Sequence, residues 1–126
     1  MRKLLLPAFL CVGLIAPVAI AAGKDMKEAE LKSLLGGGKE IQLGGEGLGY
    51  KGTLSLTAEG TAVGSAQPDS GDKIDIKGKW RIKGNKFCRT WEGLDKGKEV
   101  CETWRSIAPN KVEVYVGKEM TGVNSW

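Results

Sequence analysis

The chain has 126 residues, of which 41% are hydrophobic and 27% charged, with 19 glycines, three cysteines and no histidine. Its formal charge of +4 is spread over mixed signs without a basic block, which disfavours a nucleic-acid partner. The missing histidine removes Ser-His and Cys-His nucleophile pairs and most zinc sites, and no other enzymatic motif or cofactor signature takes their place.

Residues 1–21 read as a secretory signal peptide. Arg2 and Lys3 form its positive start, Leu4 to Ile20 its apolar stretch, and Ala19-Ile20-Ala21 the small-x-small cleavage pattern. An uncleaved anchor is the alternative, but Pro7 and Pro17 interrupt a run already short of the roughly 20 residues that a bilayer needs. A lipoprotein would want a small residue before Cys11, where Phe9-Leu10 stands. Cleavage leaves 105 residues with 17 basic against 15 acidic side chains, enough for one domain. It also leaves Cys88 and Cys101, which in an oxidising compartment pair as one disulfide. That bond closes a ring of 14 residues, worth roughly 3 kcal/mol in the chain-entropy model. The expected location is the periplasm or the exterior of a bacterial cell, with no membrane contact after cleavage.

Residues 22–38 hold one short helix and a glycine linker. The helix is predicted over Asp25–Leu35, with Asp25 as cap, Glu28 completing a capping-box variant, and Gly36-Gly37-Gly38 as the stop. Met26, Leu31, Leu34 and Leu35 form its apolar stripe, which fits a plug packed on the rest of the fold better than a partner-binding helix. Gly37-Gly38-Lys39 lacks the spacing of a phosphate-binding loop.

Residues 39–126 read as strands separated by turns: Glu40–Leu43, Tyr50–Ala58, Thr61–Gln67, Lys73–Lys83, Lys86–Glu92, Lys98–Ile107, Lys111–Gly117 and Thr121–Trp126. Successive hairpins without an intervening helix predict an all-β fold, a small up-and-down antiparallel barrel. The clearest alternation sets Ile74, Ile76, Trp80 and Ile82 against Asp75, Lys77, Lys79, Arg81 and Lys83, one face dry and one wet.

A Gly84-Asn85 turn then sets Ile82 opposite Phe87 and Trp80 opposite Arg89. Pairing Cys88 with Cys101 sets Phe87 opposite Glu102 and Arg89 opposite Val100. Both registers give one inner face of Ile74, Ile76, Trp80, Ile82, Phe87, Trp91, Val100 and Trp104, with the cysteines outside. A three-residue Ala108–Asn110 loop continues it by setting Trp104 opposite Val114. The Glu59-Gly60 turn leaves two options: a two-residue loop turns Val63 inward, a three-residue loop Ala62, Gly64 and Ala66.

Arg89 and Glu102 intrude on that inner face, diagonal to each other, with Trp80 placed for a cation–π contact to Arg89. Two readings stay open: a structural ion pair near one mouth of the barrel, or a polar anchor for a ligand framed by Trp80, Trp91 and Trp104. Trp126 is expected to pack at a strand end. Asp69, Asp72 and Asp75 recur every third residue, faintly like a Ca²⁺ loop, but lack its spacing and closing Glu, and so read as a solvated turn.

The run Gly78-Lys79-Trp80, the turn, Cys88-Arg89-Thr90-Trp91 and then Cys101-Glu102-Thr103-Trp104 resembles a group of small exported proteobacterial proteins. Their common pattern is Gly-x-Trp, Cys-x-x-Trp and a second Cys. Glu30-Leu31-Lys32-Ser33-Leu34-Leu35-Gly36 is similar to that group's opening, and the likeness covers about residues 28–117. The group is largely of unknown function and similar in form to lipocalin and streptavidin barrels, so it implies an architecture more than an activity.

The reading that follows is a non-enzymatic module binding a small apolar or amphipathic ligand. Its candidate lining is Trp80, Arg89, Trp91, Glu102 and Trp104. The alternatives are a structural or host-contact envelope protein, and an inhibitor of a secreted protease. The last rests on a resemblance to metalloprotease inhibitors that insert their first residues into the enzyme's cleft, here Ala22–Asp25.

Overall fold

The structure is a computed structural model and describes residues 23–126, so the signal-peptide reading of residues 1–21 lies outside the described residues. Its elements run in chain order as β1 (Lys24–Asp25), α1 (Glu28–Leu35), β2 (Lys39–Gly45), β3 (Tyr50–Leu56), β4 (Thr61–Pro68), β5 (Ile74–Lys83), β6 (Lys86–Trp91), β7 (Glu99–Ala108), β8 (Lys111–Val116) and β9 (Glu119–Ser125). Strands β2 to β9 pair antiparallel in sequence order, and β9 returns to β2 to close an eight-stranded barrel. Closure removes the unpaired edges that would template aggregation. The two-residue β1 lies on β7, setting Lys24 opposite Ser106 and Asp25 opposite Arg105.

The expected hairpin registers are present. Ile82 faces Phe87, Trp80 faces Arg89, Cys88 faces Cys101 and Trp104 faces Val114. The last arises differently from the three-residue loop expected: Ala108 pairs with Lys111 around Pro109-Asn110, and a bulge at Ile107 restores the register. The β3–β4 turn takes the three-residue form. Ala62 pairs with Leu56 and is buried, while Val63 is 58% exposed.

Helix α1 begins three residues later than its capping pattern suggested. Asp25 is drawn into β1, where its carboxylate accepts a hydrogen bond from Arg105 Nε at 2.8 Å. The helix is started instead by a distant group: the Glu28 N–H donates to Asn85 Oδ1 (2.8 Å) on the β5–β6 turn. Glu30 Oε1 accepts the Lys27 N–H (2.8 Å), so the capping-box logic holds two residues further on. Leu31 and Leu35 are fully buried in the core and make the helix a plug over the barrel end that carries the β3–β4, β5–β6 and β7–β8 turns.

That end is filled. Trp80 stacks on Phe87 (centroids 5.8 Å apart), Phe87 packs against Trp104 (4.9 Å), and Trp104 stacks on Trp126 (6.4 Å), which places the last residue as expected. Trp104 is wholly buried; such a ring removes roughly 150–250 Å² from water, worth about 4–6 kcal/mol before side-chain entropy. Ile74, expected on the inner face, is 40% exposed because it opens β5 at the rim.

On the outer face the Cys88–Cys101 disulfide bridges directly opposed residues of β6 and β7. Arg81 spans β6 to Glu99 with two hydrogen bonds, Nε at 2.7 Å and Nη2 at 2.8 Å. The Glu99 carboxylate lies beside the two sulfurs, and Cys88 has no exposed surface. Bonds of this kind persist in oxidising compartments. Among the described residues, no helix is long and apolar enough to cross a membrane.

Candidate binding cavity in the barrel

The barrel end opposite α1 is not filled. A cavity of about 170 Å³ lies there, walled by Leu43, Leu54, Ile76, Phe87, Trp91 and Val114, with Tyr50, Arg89, Glu102 and Asn124 as its polar members and Thr121 and Gly122 completing the lining. Phe87 is the partition, with its aromatic partners Trp80 and Trp104 on the helix side. Of the five ligand-lining candidates, the structure therefore gathers Arg89, Trp91 and Glu102 around the cavity and puts Trp80 and Trp104 into the packed core.

Strand pleating explains the three that meet. Arg89 and Trp91 are two apart on β6 and share the inner face, and Glu102 reaches them from β7. Trp91 lies against Gly78 of β5, its register partner, where a Cβ would sit 3.0 Å from the ring. Gly78 thus stands where the Thr90 carbonyl and the Trp91 indole leave no room for a side chain.

Arg89 and Glu102 form an ion pair with defined geometry. Arg89 Nε donates to Glu102 Oε2 (2.7 Å), and Trp104 Nε1 donates to Glu102 Oε1 (2.9 Å), so both carboxylate oxygens are engaged. Arg89 Nη1 donates to Asp95 Oδ2 (2.6 Å) in the β6–β7 loop. Burial works against the guanidinium charge, but the hydrogen bonds and charges of Glu102 and Asp95 more than offset it and hold the Arg89 pKa above its ordinary value.

The cation–π contact goes to a different ring from the one expected. The guanidinium lies 5.5 Å over Trp91, its same-strand neighbour, although Trp80 faces Arg89 in register. Trp80 is turned away by its own hydrogen bond, from Nε1 to the Thr57 carbonyl (3.0 Å) in the β3–β4 turn.

The sequence did not single out Tyr50 and Asn124 of the lining, nor Asp95, which braces Arg89 from outside it. Asp95 reaches Arg89 because the loop reverses through left-handed backbone at Asp95 (φ 52) and Lys96 (φ 56). Tyr50 fills the splayed seam where β2 and β9 pair through Gln42–Ser125 and Leu43–Asn124. Its hydroxyl oxygen accepts the Val123 N–H (3.0 Å), and Gly122 leaves room for it, since a Cβ there would lie 2.6 Å from that oxygen. Asn124 is a buried polar residue opposite Leu43 and Val112. The sequence signal for Asn124 was its parity with Gly122 on an inward-facing strand, which a single polar residue does not make conspicuous.

The other candidate sites do not gather. Among the described residues Asp69, Asp72 and Asp75 form no metal-ligand cluster. Asp75 lies 3.8 Å from Lys73, and Gln67 Nε2 braces the turn by donating to the Pro68 and Gly71 carbonyls. In the segment that an inhibitor would extend, Lys24 and Asp25 are clasped to β7, and Ala22 lies outside the described residues. A groove of about 600 Å³ outside the barrel, between β1, the β7–β8 turn and Trp126, is bordered by the exposed Lys24, Lys27 and Glu30. No family model matches the chain, and neither a curated protein nor a solved structure matches it.

Proposed function

We propose that the protein is an exported, non-enzymatic module that holds a small, at least partly apolar molecule in the end of its barrel away from α1. The observation that carries this reading is the cavity itself: apolar walls, one aromatic face from Trp91, and a few convergent polar groups, which is the usual make-up of a ligand site. Its volume of about 170 Å³ compares with the roughly 150 Å³ of an apolar cavity that takes up benzene. The occupant is therefore one ring or a short chain, or the buried tip of something larger. Arg89 and Glu102 act as a fixed polar floor beneath it rather than as free charges, because each is already bonded. The leader-like residues 1–21 and the disulfide support export to an oxidising compartment.

Native mass spectrometry of the protein recovered from its own host tests this reading. The expected result is a bound mass of small-molecule size on the parent and its loss in Leu43→Trp, which fills the cavity from β2. A bare parent, or an equal adduct on Leu43→Trp, would contradict it.

A further inference from the structure

We infer that the cavity selects an uncharged, single-ring-sized molecule carrying a hydrogen-bond donor and an acceptor on one edge, and that the side-chain amide of Asn124 reads that edge. The inference rests on the binding role proposed above and names the chemistry of its ligand.

Asn124 faces inward from β9, paired with Leu43, a cavity wall, and with Val112, which is fully buried. The residue is 7% exposed and lines the cavity. Among the described residues its amide makes no side-chain hydrogen bond, although it offers two donors and an acceptor. Buried amides are ordinarily satisfied, so this group is matched to something that enters the cavity, whether water or solute.

The charged groups of the lining are paired with one another. Both Glu102 oxygens accept hydrogen bonds, from Arg89 and from Trp104. The Arg89 guanidinium is divided between Glu102 and Asp95. The Tyr50 oxygen accepts the Val123 N–H, which leaves its own proton as a second donor beside Asn124. A charged ligand would therefore meet a lining whose charges already oppose one another. A neutral edge with adjacent donor and acceptor meets an amide that complements both, while its ring lies among Leu54, Ile76, Phe87 and Trp91.

Isothermal titration with three probes tests this: 2-pyridone, a ring whose N–H and C=O share one edge; toluene, of similar size without that edge; and benzoate, which is charged. Each is titrated into the parent and into Asn124→Leu, which keeps the branched shape and removes the amide. The parent is expected to bind 2-pyridone in preference to benzoate. Asn124→Leu should weaken 2-pyridone at least about tenfold while toluene affinity holds or rises. Should Asn124→Leu fail to fold, Asn124→Ala supplies the same comparison.

Equal binding of 2-pyridone to parent and variant, or tighter binding of benzoate, overturns the inference. Binding of toluene without 2-pyridone also overturns it and leaves the cavity's binding role standing. Failure of all three probes on the parent removes that role and the inference with it.

Discussion

Arg89 keeps a full charge with its side chain only 14% exposed, and the neighbours that make this tolerable differ in what they contribute. Glu102 is itself buried and shares its carboxylate with Trp104, so removing it strands a guanidinium and an indole N–H together. Asp95 is 42% exposed, and there water can replace what it supplies. Glu102→Ala should therefore lower unfolding stability by about 3 kcal/mol, and Asp95→Ala by less than about 1 kcal/mol. Urea titrations of the two variants measure the difference, and comparable losses would mean that the Arg89 charge is not held from the barrel interior. At this scale the sequence revealed the Arg89–Glu102 pair, because pleat and register alone make them diagonal neighbours. It did not reveal which indole the guanidinium covers. That choice depends on side-chain direction, and Trp80 is committed to the carbonyl of Thr57, 23 residues earlier in the chain.

The elements differ in how locally they are determined. The β5–β6–β7 registers follow from a two-residue turn and a cysteine pair, both visible in the chain, and the structure keeps them. The start of α1 is not local. Its first N–H is satisfied by Asn85, 57 residues away, while the nearer candidate cap, Asp25, is taken by Arg105 of β7. Asn85→Ala should loosen the plug without opening the barrel, lowering stability by about 1 kcal/mol, the usual worth of a helix cap. Hydrogen exchange would register this as faster exchange at α1 amides with β6 and β7 unchanged. Unchanged protection in α1 would show that packing of Leu31 and Leu35 alone sets where the helix begins. The β3–β4 turn was ambiguous for a related reason: one residue of loop length inverts every side chain after it, and only burial of Ala62 against the closed interior selects the three-residue form.

Across the whole molecule, an up-and-down barrel was legible because hairpins follow one another and no helix-length segment separates them. The register of its closure through β2 and β9 was not, since that pairing spans nearly the full domain and rests on two residue pairs. The division of the interior was hidden for the same reason. Three tryptophans share an inward face, yet α1 and Trp126 compress one end into solid packing around Trp80, Phe87 and Trp104, and leave Trp91 beside the cavity at the other. At that end Tyr50 sits against Gly44 and Gly122, both too close to it to carry a side chain. The proposed ligand is therefore assigned to that end of the barrel.

Methyl-resolved NMR titration with toluene tests that claim most directly. Saturable shifts are expected on the methyl groups of Leu43, Leu54, Ile76 and Val114, with Leu31 and Leu35 unmoved. Shifts confined to Met26 and Ile107 on the outer groove, or no saturable shift at all, would contradict it.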